Sequence, residues 1–279
     1  MTYVDAPDKK QKHPHYEHRT EKLDRKDNEF SSKKFHHIRK VSTHKKLLKS
    51  FGRIGMCLND KPTTSLPIGD LDKVCFILVN DYEEDDDNEL GVGPLNDGYL
   101  LGLKHHRYGF KVFYLYNPRA EEFSQFLGFF LKHTQHALTI FYTGHSNNGI
   151  SFNDSLLSQS TISEIIEDNS NGEAHVVFIT DCPESGSVFD IKSTGQKNPQ
   201  TTSNLISFYV EKTNGSTPKE SKRSHGIFTY YFCKITSDCP NITPNRLVER
   251  MSPSLKRFGE TFKCDITDHK LADSPIYFN

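Results

Sequence analysis

Two residues in this chain could pass a proton between them and create a nucleophile. His145 closes the run HALTIFYTGH (136–145), and Cys182 follows the run AHVVFITD (174–181). They stand 37 residues apart in sequence, with a helical stretch between them. If the two runs are neighbouring parallel strands, their ends meet in space. A histidine near a cysteine can take the thiol proton and leave a thiolate nucleophile. Each residue also has a plain structural reading. His145 can be a polar residue at a strand end, and Cys182 a small, half-buried hydrophobe. Other common chemistries lack their residues. There is no Gly-Lys-Ser/Thr loop, and Asn96 stands where Gly91 and Gly93 would need a third glycine for a dinucleotide fingerprint. No Gly-x-Ser-x-Gly elbow occurs, and no cysteine pair has a zinc-ribbon spacing. His13, His15 and His18 have no cysteine companion, so no metal site is expected there.

The elements that must position these residues alternate. KVCFILVN (73–80) and GFKVFYLYN (109–117) read as strands, as do the runs before His145 and Cys182 and NLISFYVEK (204–212). Helical spacing is expected over Asn96–Arg107, with Asn96 or Asp97 as its cap, and over Ala120–His133, Ser158–Asp168, Gly226–Lys234 and Pro244–Arg257. This alternation predicts an α/β fold with a mostly parallel sheet covered by helices on both faces. In such sheets function sits at the carboxyl ends of the strands. That points to Asn80, Asn117, His145, Asp181 and Cys182.

The chain of 279 residues carries 35 Lys/Arg and 36 Asp/Glu, so its overall charge argues for no nucleic-acid partner. The charge is unevenly placed. Residues 1–50 hold 14 basic and 7 acidic residues and six of the histidines, and show no sustained apolar period. They read as a disordered basic tail, open to a polyanion at most. Residues 45–53 (KKLLKSFGR) could form one short helix. Residues 51–72 read as a linker and 73–279 as the folded domain. The five carboxylates of Glu83–Asp87 read as a solvated loop, with a cation site as the alternative. No stretch approaches the roughly 18 apolar residues of a membrane span. The N-terminus has no apolar leader, so a cytoplasmic protein with reduced thiols is expected.

Four segments in order resemble the metacaspases, caspase-like cysteine peptidases of clan CD, and most of all those of trichomonad-type protists. They are GVGPLNDGYLLGL (91–103), FYTGHS (141–146), VVFITDCPESGS (176–187) and SHGIFTYYF (224–232). The resemblance implies a three-layer αβα caspase fold and a family reaction, hydrolysis of peptide bonds after Arg or Lys. It makes His145 the base and Asp97, Thr143 and Asp181 the pocket for a basic side chain. Cys182 matches the first of the family's paired cysteines, and Pro183 stands in the nucleophile position. Glu184 replaces a histidine and Ser146 a glycine, while Ser185, Gly186 and Ser187 match. Proline has neither a nucleophilic atom nor a backbone N–H for an oxyanion.

The expectation is therefore a pseudopeptidase that binds basic peptides or an active peptidase relative. Two alternatives stay open: an atypical peptidase using Cys182 with His145, and a scaffold acting through its basic tail. No cofactor is implied. The family's calcium loop falls on SNNGISFNDS (146–155), which has one Asp and does not retain the ligands. Lys212–Arg223 reads as a disordered loop, with a cleavage or regulatory site as the alternative.

Overall fold

The computed structural model describes residues 44–82, 89–182, 188–197, 199–212 and 226–277. Residues 1–43, most of the Glu83–Glu89 loop, Pro183–Ser187 and most of Lys212–Arg223 lie outside the described residues.

Nine strands are described: β1 (Gly55–Cys57), β2 (Lys73–Val79), β3 (Lys111–Tyr116), β4 (Ala137–Thr143), β5 (Gly149–Ser151), β6 (Leu156–Ser158), β7 (His175–Asp181), β8 (Leu205–Lys212) and β9 (Glu260–Ile266). Seven of them form one sheet in the order β1-β3-β2-β4-β7-β8-β9, and β5 and β6 pair as a separate hairpin. All neighbours in the large sheet are parallel except β8 and β9. The helices are α1 (His44–Phe51), α2 (Gly93–Arg107), α3 (Ala120–His133), α4 (Gln159–Asn169), α5 (Ile191–Lys197), α6 (Ile227–Asp238) and α7 (Pro244–Lys256). No described helix is long and apolar enough to cross a membrane.

Side-chain alternation divides the core into two layers. Val74, Phe76 and Leu78 of β2 belong to one layer, with Phe123, Phe126 and Phe130 of α3, Ile162 of α4 and Ile191 of α5. Cys75, Ile77 and Val79 belong to the other, with Phe51 of α1, Leu101 of α2, Phe232 of α6 and Leu255 of α7. The fold is the expected three-layer αβα sandwich. On α2, Gly98 and Gly102 lie one turn apart. A Cβ at Gly98 would come within 2.6 Å of Val79 Cγ2, so these glycines let α2 settle close against β2.

Several expectations change. The folded domain begins before Lys73 and takes in part of the tail and the linker. Leu47 and Phe51 of α1 are buried, with the Phe51 ring stacked on Tyr114 at 4.0 Å. The outward lysines Lys45, Lys46 and Lys49 had disguised that apolar face. Within 51–72, β1 pairs with β3, and Leu58, Leu66 and Leu71 are buried. Helix α2 starts at Gly93, with Pro94 in the first turn, where its missing N–H costs nothing. Asn96 and Asp97 therefore lie inside the helix and are buried, and neither caps it.

Helix α2 also buries a cation. Lys104 is 6% exposed, and its Nζ lies 4.2 Å from the Tyr277 ring centre and 4.7 Å from that of Tyr108, with no hydrogen-bond partner among the described residues. Burial pushes its pKa down from 10.5 to about 8. The unfolded chain therefore holds this proton to higher pH than the folded chain. Between about pH 8 and 10.5 this residue's share of stability rises with pH. Lys104→Met should raise stability at pH 7 by on the order of 1–2 kcal/mol, the desolvation relieved exceeding the cation–π attraction lost. Denaturant titrations at pH 7 and 9.5 check this, since the gap between variant and wild type should narrow at the higher pH.

Candidate active site

Register brings three strand ends into line. Val79 of β2 sits opposite Thr143 of β4, and Thr143 opposite Asp181 of β7. The residues that follow these positions share one edge of the sheet. The expected candidates His145 and Cys182 thus leave neighbouring parallel strands at the same end.

His145 is mounted on two tyrosines. Its N–H donates to Tyr82 Oη (3.0 Å), and its carbonyl accepts from the Tyr142 hydroxyl. The Tyr82 ring lies against the imidazole, with centres 4.9 Å apart at 30°. The Tyr82 hydroxyl donates to the Ser151 carbonyl (2.8 Å), which also accepts from Asn80 Nδ2 (2.8 Å). Tyr82 takes a left-handed backbone, φ 59°, which costs an ordinary residue about 1–2 kcal/mol. Asn117 holds that turn. Its Oδ1 accepts from the N–H groups of Asp81 (2.9 Å) and Tyr82 (3.3 Å), and its Nδ2 donates to Asp81 Oδ1 (2.8 Å). The buried Asp81 carboxylate also takes the Tyr116 hydroxyl (2.8 Å) and pairs with His44 Nε2 (2.9 Å). Sequence reasoning named Asn80 and Asn117 by their place at strand ends. It missed Asp81, Tyr82 and Tyr142, whose partners are remote in the chain.

Cys182 points away from Asp181. It is 1% exposed and packs in the α3–α4–α5 layer, together with Tyr142, Val188 and Phe189. Burial raises the pKa of Tyr82 and of Tyr142, and the nearness of Cys182 adds to both shifts. The thiol and His145 therefore share two tyrosine neighbours. Pro183 and the four residues after it lie outside the described residues.

Asp97, Thr143 and Asp181 gather on the opposite layer, where Asp97 and Thr143 are each 3% exposed. Asp97 offers both oxygens to the N–H of Gly226, at 2.9 and 2.7 Å. Asp181 Oδ2 accepts from the Thr229 hydroxyl (2.5 Å) and N–H (3.2 Å). Gly226 is the N-cap of α6 and supplies no side-chain cap of its own. The two carboxylates therefore cap this helix from α2 and β7. Burial pushes both acids above the usual carboxylate range, and Asp181 pushes Asp97 further. In the loop expected to have lost calcium ligands, Asp154 accepts from the N–H of Ala120 at the start of α3 (3.2 Å). Among the described residues, no cluster of three His, Cys, Asp or Glu side chains could hold a metal ion.

A sequence model of the caspase domain matches residues 72–267. The chain belongs to the caspase-domain family. In structure it is similar to caspase-1 of Spodoptera frugiperda, with a TM-score of 0.55 and 10% identity. The match covers 72% of this chain and 90% of that one, and at this identity it speaks for the fold alone. No curated protein matches the chain.

This caspase domain therefore keeps a histidine and a cysteine at adjoining strand ends, but it sinks the thiol into an apolar layer. Cys182 in the native protein should react with a small alkylating reagent at least about 100-fold more slowly than an exposed thiol, reacting only through local opening. Mass mapping of the modified site checks this. The acid pair makes a second prediction. Its raised pKa values mean that the folded chain holds protons the unfolded chain has released. Stability is then lost as pH rises from about 3.8 through the raised values. Asp97→Asn keeps an acceptor for Gly226 and should flatten that loss. Its melting temperature at pH 7 should exceed the wild-type value, by the equivalent of about 1 kcal/mol or more.

Proposed function

We propose that this caspase-domain protein binds basic peptide side chains and does not cleave peptide bonds. The observation that carries this reading is the placement of Cys182. Its side chain lies across the strand from the Asp181 carboxylate, 1% exposed and packed among apolar neighbours. A nucleophile must reach a carbonyl held by the same site that reads the neighbouring side chain. Successive residues of an extended chain face opposite ways, so Cys182 and Asp181 do not serve one substrate together. The next residue, by resemblance to the metacaspases the nucleophile position, is Pro183, which has no atom for the task.

The acid pair supports the binding half of the proposal. Among the described residues, Asp97 and Asp181 take N–H and O–H donors from α6 and no Lys or Arg. With no cation beside them among the described residues, desolvation holds both carboxylates above their usual range, and an approaching guanidinium or ammonium would bring them down. Charge-assisted bonds to Arg or Lys are the chemistry such a pair offers. The partner would be a basic peptide segment, either free or carried by an active relative.

Fluorogenic peptides ending in Arg or Lys test the proposal, paired with calorimetric binding of the matching uncleavable peptide. The expected result is no hydrolysis above that of Cys182→Ala, together with binding that Asp181→Ala weakens at least about tenfold. Hydrolysis that disappears in both Cys182→Ala and His145→Ala would overturn it.

A further inference from the structure

The acid pair is already occupied by the protein itself. Gly226 donates its N–H to both oxygens of Asp97. A side chain at position 226 would overlap Asp181 Oδ2, and its Cβ would sit 3.0 Å from Asp97 Oδ2. The backbone of Gly226 thus stands between the two carboxylates. A guanidinium seated between the same oxygens needs that space.

We propose that Asp97 and Asp181 form a latch with two exclusive partners, the first turn of α6 and the cationic head of a basic ligand, with Gly226 as the residue displaced. The inference rests on the basic-ligand reading above and adds its regulation. In the seated state the pair supplies what α6 lacks. The first-turn N–H groups of a helix have no intrahelical acceptor, and the N-cap here is a glycine. The helix end repays this with only about half a unit of positive charge, so a full cation is the stronger partner for two acids. The body of α6 can stay in place during the exchange. Phe232 and Cys233 anchor it in the core, so only the turn from Gly226 to Thr229 has to give way.

Two consequences follow from linkage. The apparent affinity for a basic ligand is the intrinsic affinity multiplied by the fraction of molecules with the latch open. The ligand must also loosen the start of α6 by the same factor that loosening α6 strengthens the ligand. A side chain at 226 fits the seated position only if the Asp181 carboxylate shifts, so the proposal expects it to move the balance toward the open state.

The test uses the full chain and N-acetyl-arginine amide as the probe. Hydrogen exchange of the α6 amides is followed by mass spectrometry with and without saturating probe, and binding is measured by calorimetry. The proposal expects first-turn exchange to speed up at least about tenfold on binding, with the amides after Phe232 unchanged. It expects Gly226→Ala to bind the probe at least about tenfold tighter than wild type. Thr229→Val removes the hydroxyl donor to Asp181 without crowding the pair, and should also bind more tightly. It carries the test should Gly226→Ala fail to fold. Probe binding with α6 exchange unchanged, and no tighter binding by Thr229→Val or a folded Gly226→Ala, would overturn the latch and leave the basic-ligand reading standing. No binding by wild type or either variant would overturn both.

Discussion

The constraint on which this structure turns is the alternation of side chains along β7. Asp181 ends β7 and Cys182 follows it, and their side chains go to opposite layers of the sandwich. On one side lie the acid pair, Thr143 and the start of α6. On the other lies a thiol under Tyr142 and Phe189. On the proposed reading, recognition and nucleophilic attack, which a caspase-type site must bring together, are thereby held apart.

The rest of the fold holds that separation in place. Parallel register fixes Val79, Thr143 and Asp181 in one row, and the glycine pair on α2 lets Asp97 approach the same row. Both acids then face the start of α6, which no residue of its own caps. A buried carboxylate with no cation is costly, and so is an uncapped helix start. Each offsets part of the other's cost. Across the row, Asp81 and Asn117 hold Tyr82 in its left-handed turn, and Tyr82 holds His145. His145 is thus positioned with care at an edge where the neighbouring thiol is withdrawn.

Much of the architecture could be read from the sequence, because β2, β4 and β7 are short apolar runs and α3 carries an unbroken apolar stripe. Parts that alternate polar and apolar residues were harder to see. ETFKCDI, which is β9, buries only Phe262 and Asp265 and lies at the sheet edge. In α1, Lys45, Lys46 and Lys49 beside Leu47 and Phe51 resembled the basic tail before it. At the site, strand-end position alone identified His145, Cys182 and Asp181, because chain direction in a parallel sheet fixes which end is shared. Asp97 came from the motif resemblance, and its capping role was assigned to the wrong helix. Its true partner, Gly226, is 129 residues away, and Asp181 meets Thr229 across 48. Contacts of that span leave no local periodicity to read.

The central claim is that the thiol does not serve the pocket. An irreversible peptide probe with an arginine beside its reactive group tests this most directly, with intact mass measured for wild type, Cys182→Ala and His145→Ala. The account predicts no added mass on wild type under conditions that label an active caspase-type peptidase fully. A single adduct on Cys182, absent in both variants, would contradict it.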